Sequence, residues 1–218
     1  MPTQTKENYL KAVFSISQKR ETVSITELSE VMQVSKPTVN SMVKKMEEKG
    51  WVVYEKYKPL KLTLKGKKVA ALIVRKHRLV EMFLSKIMDY GWEEVHDIAE
   101  EMEHLQSTKF FDRMDEILGF PTIDPHGSPI PDKTGKIVNP NYLNFTVIKK
   151  GEKVKLCGLT NSSKELLLFL NKKNIKLGTE LKVQEIELFD KSFEILLNDN
   201  QSIILTYDVC KCLLVEPM

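Results

Sequence analysis

Two stretches of this 218-residue chain carry metal-ligand side chains at helical spacing. His77 and Glu81 stand at i and i+4, and His96, Glu100, Glu103 and His104 at i, i+4, i+7 and i+8. On a helix these offsets set His77 and Glu81 beside the apolar stripe of one element. They set His96, Glu100 and Glu103 beside the stripe of another, with His104 further round. If the two stripes pack together, imidazoles and carboxylates converge at the seam, as in the metal sites of helical bundles. Carboxylate and imidazole without thiolate suit Mn2+, Fe2+ or Zn2+, and the share of oxygen donors favours Mn2+. All four histidines fall between residues 77 and 126. The plainer alternative is a set of helix-surface ion pairs with one or two core histidines.

A second group of residues suits DNA. Ser35, Lys36, Pro37, Thr38, Asn40 and Ser41 are small or polar, and they open a predicted helix over 36–49. Ser35 is a good N-cap, Pro37 lies in the first turn and Gly50 stands just past the end. Small and polar side chains there let the backbone approach a major groove and leave donors and acceptors for base edges. Val39, Met42, Val43 and Met46 form the stripe predicted to be buried. Lys44 and Lys45 are candidates for phosphate contacts, as are Lys56, Tyr57 and Lys58 in a polar loop.

The elements that must position these groups follow from periodicity. A helix is predicted over 5–17, with Tyr9, Leu10, Val13 and Ile16 on one face. A helix over 25–32, a three-residue turn and the helix over 36–49 then precede two short strands, 52–55 and 61–63. Helix, turn, helix and hairpin in that order are a winged helix-turn-helix. A long amphipathic helix is predicted over 65–89, with Val69, Leu72, Ile73, Val80, Phe83 and Ile87 as its stripe. Further helices are predicted over 92–105 and 108–118. Residues 120–142 hold five prolines and mark a domain boundary. Beyond it the pattern changes to strands, FTVI, VKLCGL, ELKVQEIELF, SFEILL and SIILTY, interrupted by one short helix over 164–173. Asn198-Asp199-Asn200 reads as a hairpin turn. The expected fold is a mainly α N-terminal part followed by a small all-β barrel. The expected domains are 1–64, 65–140 and 141–218.

Charge supports the same division. Residues 1–75 carry 15 Lys and Arg against 7 Asp and Glu, residues 76–126 carry 5 against 12, and residues 127–218 carry 13 against 11. A basic block suits a polyanion and an acidic block a cation, although solvated helix faces would look the same. No apolar run approaches the roughly 20 residues of a membrane span. The N-terminus has no signal-peptide pattern, and the three cysteines, Cys157, Cys210 and Cys212, are too few for a disulfide framework. A cytoplasmic protein is expected. An enzyme is not: no G-x-S-x-G, H-E-x-x-H or P-loop motif is present. Cys210-x-Cys212 is read as a pair of structural cysteines.

These motifs together resemble the diphtheria toxin repressor family of metal-dependent transcription regulators, and within it the manganese transport regulators. The resemblance runs through ENYLKAVF, VSKPTVNSMVKKMEEKGWV, YEKYKPLKLTLKGKKVA, HRLVEMFL, EVHDIAEEMEH and DPHGSPIP, and the C-terminal part looks like an SH3-like (FeoA-like) domain. It implies a homodimer that represses metal-uptake genes from a palindromic DNA operator. A divalent ion, Mn2+ with Fe2+ and Zn2+ as alternatives, would order the N-terminal helix. A metal-independent winged-helix regulator is the further alternative.

The resemblance also implies a ligand set. Glu100, Glu103 and His104 match the family's acidic-x-x-Glu-His stretch, with Glu100 where iron-selective members have cysteine. The N-terminal ligand position is Asn8, where relatives have Asp or Met, and Glu7 is the weaker substitute. Lys11 stands where regulators with two adjacent metals have Glu, which argues against a close binuclear pair. A second site is implied either at His77, Glu81 and His96 or at Glu81 with Asp124 and His126. Asn161 is the nearest candidate for a ligand from the last domain.

Overall fold

The computed structural model describes residues 4–18, 20–56, 58–198 and 200–218. The chain divides into two units. The first runs up to Val80 and includes residues 99–120 and 130–138; the second includes 81–98, 121–129 and 139–218.

The first unit is built on α1 (Gln4–Ser17), α2 (Ile25–Met32) and α3 (Lys36–Glu48), followed by a hairpin of β1 (Val52–Val53) and β2 (Lys61–Leu62). Each helix has a local reason to begin and end. The Ser24 hydroxyl accepts the Glu27 N–H and caps α2, which stops at Gln33 in the left-handed region, φ 53°. The Ser35 hydroxyl accepts the Thr38 N–H, and Pro37 sits in the first turn of α3. At its other end Gly50 adopts φ +69° while Trp51 N–H reaches Met46 O at 3.0 Å and Gly50 N–H reaches Glu47 O at 2.7 Å. That is the glycine-terminated helix end expected there. Leu10 and Val13 of α1, Leu28 of α2, Val39, Val43 and Met46 of α3, and Leu60 before β2 are fully buried in one cluster. Met42, expected in the stripe, is only half-buried at its edge.

α4 (Leu64–Ile87) begins in the first unit, and α5 (Val95–Met102) ends in it. Gly66 is required: a Cβ there would lie 1.9 Å from Trp51 O. The buried face of α4 differs from the predicted stripe. Ala70, Ala71, Ile73, Val74, Leu79 and Val80 are buried, whereas Leu72 and Phe83 are half-buried and Ile87 is 52% exposed. A helix covered on more than one side does not keep a single 3.6-residue stripe, which is why the phase was misjudged. α6 (Thr108–Ile117) completes this unit. Arg75 ties its elements together, donating to Pro131 O at 2.7 Å and to Asp115 Oδ2 at 2.6 Å.

The helix expected over 92–105 is shorter. Residues 92–94 form a turn and α5 ends at Met102, so Glu103 and His104 lie in the turn beyond it. Leu105, expected in its stripe, is 46% exposed.

The second unit is an antiparallel sheet with strand order β3-β8-β4-β5-β6-β7. Its strands are β3 (Leu143–Asn144), β4 (Lys153–Leu159), β5 (Glu180–Ile186), β6 (Phe193–Leu197), β7 (Gln201–Leu205) and β8 (Leu213–Pro217), with α7 (Lys164–Lys172) and α8 (Tyr207–Cys210) between them. Alternation buries Val154 and Leu156 of β4, Leu181 and Val183 of β5, and Ile195 and Leu197 of β6, closed over by Leu167 and Leu170 of α7.

Three expectations are corrected here. The sheet is not closed into a barrel: among the described residues β3 and β7 have one partner strand each. β3 has only two residues in which to make the closing ladder. FTVI is not a strand but enters a 3-10 turn over Phe145–Val147, because the Asn144 side chain accepts from Thr146 N at 3.1 Å and Thr146 Oγ1 at 2.6 Å. The last strand, Leu213–Pro217, was missed, although it pairs with both β3 and β4. Of the expected hairpin turn, Asp199 lies outside the described residues.

Among the described residues no helix is long and apolar enough to cross a membrane.

Candidate metal centre and nucleic-acid interface

The first cluster lies wholly in the first unit. One face of α1 presents Glu7 and Lys11 to the end of α5 and the turn beyond it. The Lys11 ammonium donates to Glu100 and to both oxygens of Glu103, at 2.8 and 2.9 Å. Glu103 is completely buried, and its Oε2 also accepts from His77 Nδ1 at 2.7 Å. Burial pushes the Glu103 carboxyl upward, but the His77 hydrogen bond and the Lys11 charge outweigh it and hold the group below the usual glutamate value. Glu7 is buried as well and accepts from His104 Nδ1 at 2.6 Å, while His104 Nε2 stands 3.6 Å from Glu103 Oε1. Gln106 steadies this corner, donating to His104 O at 3.0 Å.

Asn8 Oδ1 is buried without a hydrogen-bond partner. A buried carbonyl oxygen normally has one, and its absence costs about 1–3 kcal/mol. It marks an acceptor directed at something other than protein. Ligand atoms of His77, Glu100 and Glu103 also lie within 4.8 Å of one another. Oxygen and imidazole donors in that space fit a first-row divalent ion.

The second cluster lies in the second unit. Ligand atoms of Glu81, Asp124 and His126 lie within 4.8 Å of one another, and all three residues are buried. Asp124 Oδ1 accepts the backbone N–H of His126 at 2.8 Å and of Ser128 at 2.9 Å, which folds the DPHGS loop on itself. The His126 carbonyl accepts from Leu159 N–H at 3.0 Å, so the loop is pinned to β4. Gly127, at φ +83°, is obligatory: a Cβ would fall 2.2 Å from Cys157 O. His126 Nε2 donates to Trp92 O at 2.8 Å, which turns Nδ1 toward Glu81 Oε2, 3.7 Å away. Burial lowers the His126 pKa, but Glu81 and Asp124 more than compensate and raise it above the ordinary histidine value. His96 is half exposed, with Nδ1 3.4 Å from Glu81 Oε1. It shares a cavity of about 270 Å3 with Asp97, Asn161, Ser162 and Lys164.

Side-chain partners link the sequence-predicted ligands to one another and to α1. His77 meets Glu103, Glu100 and Glu103 meet Lys11, and His104 meets Glu7; Glu81 meets His96 and His126. His77 and Glu81 sit one turn apart on α4, and each has partners within its own cluster.

The residues expected to face DNA lie on the exposed side of α3 and in the loop between β1 and β2. Ser35, Lys36, Pro37, Thr38, Ser41, Lys44, Lys45, Lys56 and Lys58 are exposed, and Tyr57 lies outside the described residues. Lys36, Asn40, Lys44, Tyr54, Lys56 and Lys58 line an open cavity of about 640 Å3 between α3 and the wing. Asn40 is half-buried and its Oδ1 accepts from the Tyr54 hydroxyl at 2.8 Å, leaving its amide N–H groups to donate outward. Lys58 pairs with Glu55 at 2.8 Å.

Sequence reasoning missed Tyr54, Trp92 and Gln106, and it treated Lys11 only as a residue unable to ligate. The one available signal for Lys11 was its place four residues after Glu7 and three after Asn8.

Known proteins share this arrangement. Residues 1–60 match the iron-dependent repressor N-terminal DNA-binding domain, residues 63–132 the iron-dependent repressor metal-binding and dimerisation domain, and residues 144–217 the FeoA domain. The iron-dependent repressor IdeR of Mycobacterium leprae is 35% identical over 127 residues, covering 58% of this chain and 55% of that protein. This chain thus spans about half the length of the first curated relatives it matches. The HTH-type transcriptional regulator MntR of Bacillus pumilus is 31% identical over 120 residues, covering 55% of this chain and 83% of that protein. A solved structure described as a manganese-dependent transcriptional repressor in complex with manganese superposes with a TM-score of 0.86 at 29% identity, covering 98% of this chain and 100% of that one. The chain belongs to the iron-dependent repressor family.

Proposed function

We propose that this chain is a divalent-metal-dependent, DNA-binding repressor of metal-uptake genes. It acts in the cytoplasm as a homodimer on a palindromic operator, with Mn2+ as its metal. In this reading residues 1–64 bind DNA, 65–140 bind metal and dimerise, and 141–218 form the FeoA-like domain. The observation that carries it is the sharing of α1. Its polar face meets Glu100, Glu103 and His104, and its apolar face, through Leu10 and Val13, shares a core with Val39 and Val43 of α3. What settles the first face is felt by the helix that would read DNA.

Asn8, Glu100, Glu103 and His104 would hold the ion, and a bound ion would supply the charge and fixed geometry that secure α1 against the end of α5. Glu7 orients His104 through Nδ1, which directs Nε2 toward Glu103. His77 and Lys11 balance Glu103 in the metal-free protein. A second ion would fall to Glu81, Asp124 and His126, with His96 and Asn161 within the adjoining region. Mn2+ is favoured because the ligands are hard oxygens and imidazoles. Burial raises two of the three thiols, Cys157 to about 11 and Cys210 to about 12, so they stay protonated and are poor ligands. Exposed apolar side chains on the first unit, Leu105, Phe110, Ile117 and Phe120, support dimerisation. Lys36, Lys44, Lys45, Lys56 and Lys58 would contact phosphates, and Thr38, Asn40 and Ser41 base edges. The reading is of a regulator rather than an enzyme.

Binding of chelator-stripped protein to a randomised duplex library, alone and with buffered Mn2+, Fe2+ (anaerobic) or Zn2+, tests the proposal. Selection of a palindrome only with metal, at the lowest free concentration for Mn2+, is expected. Equal selection with and without metal would overturn it.

A further inference from the structure

We propose that the Lys11 ammonium is the resident cation of the first centre, and that Lys11 must leave Glu100 and Glu103 before a divalent ion can bind there. The inference rests on the metal-centre reading above.

Three carboxylate oxygens, one of Glu100 and both of Glu103, accept from this single ammonium. The Glu103 side chain is fully buried, and that of Lys11 is 20% exposed. An uncompensated carboxylate in that position would be costly, and Lys11, together with the His77 hydrogen bond, compensates it. The lone pairs that face the ammonium are those a metal would need. Ammonium nitrogen sits 2.8–2.9 Å from the Glu103 oxygens, whereas small divalent ions bind oxygen at roughly 2.0–2.2 Å. An ammonium and a divalent ion drawn to the same oxygens would stand only a few ångströms apart, and their repulsion is strong in a buried site.

The exchange is mechanically easy. Leu10 and Val13 anchor α1 in the core, so the helix stays in place while the four-carbon stem of Lys11 swings toward solvent. Lys11 therefore holds α1 to the end of α5 when metal is scarce, and it raises the free metal concentration needed for occupancy.

Binding of Mn2+ to the full-length chain and to Lys11→Met and Lys11→Arg, measured by competition with a fluorescent chelator, tests this. Lys11→Met keeps the apolar stem and removes the charge. It is expected to bind Mn2+ about ten- to a hundredfold more tightly, as losing a set of charged hydrogen bonds predicts. Lys11→Arg keeps the charge and is expected to bind no more tightly than the parent chain. Unchanged or weaker binding by Lys11→Met overturns the proposal. Should that variant not fold, acetylation of Lys11 in the parent chain, followed by mass spectrometry, decides instead. Mn2+ is expected to speed it at least about fivefold as the ammonium reaches solvent, and no acceleration overturns the proposal. Metal binding by the parent chain that Lys11→Met does not improve sinks this inference alone, whereas no Mn2+ binding by either protein sinks the metal-centre reading with it.

Discussion

The two ligand clusters hold their carboxylates by different means. At the end of α5 a flexible lysine neutralises Glu100 and Glu103, helped by His77. In the DPHGS loop two backbone N–H groups hold one oxygen of Asp124, and His126 faces Glu81. The first arrangement can be released by one side-chain rotation. The second is built into the backbone, with Gly127 pressed against Cys157 and the His126 carbonyl fixed by Leu159. A mobile counter-charge suits a centre that must change state; a backbone cradle suits one that keeps its shape.

Breaking the first centre should have the largest effect. Glu103→Ala removes the shared acceptor of Lys11 and His77 and is expected to abolish metal-dependent operator binding. It should cost about 3 kcal/mol of stability by leaving buried donors unpaired, as read by urea denaturation. The folded protein responding to metal as before would defeat the assignment of Glu103. Gly127→Ala attacks the second centre through its backbone. A strained φ and a 2.2 Å approach to Cys157 O predict a loss of roughly 2–3 kcal/mol, with Mn2+ affinity at the first centre unchanged. Asp124→Ala should cost less, about 1–2 kcal/mol, for two lost backbone hydrogen bonds, and calorimetry should then show loss of any second metal.

Acid and base should separate the two centres. The Glu103 carboxyl is held low, so its contribution is present above the unfolded glutamate value and is lost as pH falls through the folded one. The His126 value is raised, so its contribution is present below the unfolded histidine value and is lost as pH rises through the folded one. In chelated protein, Glu103→Gln should therefore lose more against the parent chain near neutrality than at about pH 3, whereas His126→Gln should lose more at about pH 5.5 than at about pH 8.5. The smallest effect is expected for Tyr54→Phe, which touches neither centre. Metal affinity should be unchanged, and library selection should show a relaxed preference at the Asn40 contact, within about tenfold in DNA affinity.

Much of the first unit was legible. Ser24, Ser35, Pro37 and Gly50 announce helix ends through local backbone chemistry, and each acts where it stands. The ligand residue types of both clusters were also visible, since they depend on residue identity alone. The pairings were not. Nothing in helical spacing announced that His77 also hydrogen-bonds Glu103, or that Glu7, ranked below Asn8, is the residue that holds His104. The open sheet and β8 were hidden because which strands pair, with β8 between β3 and β4, is decided by contacts distant in sequence.

The amino-acid sequence alone determined the order of elements, the capped recognition helix, the basic and acidic blocks and the stock of hard ligands, because these depend on residue type and short spacing. Tertiary structure decided which carboxylate keeps which partner, that Asn8 Oδ1 is buried unbonded, and that Lys11 sits where the two carboxylates meet. Those outcomes depend on contacts between residues some 90 positions apart, such as Lys11 with Glu103, and on a desolvation that exists only once the core has closed.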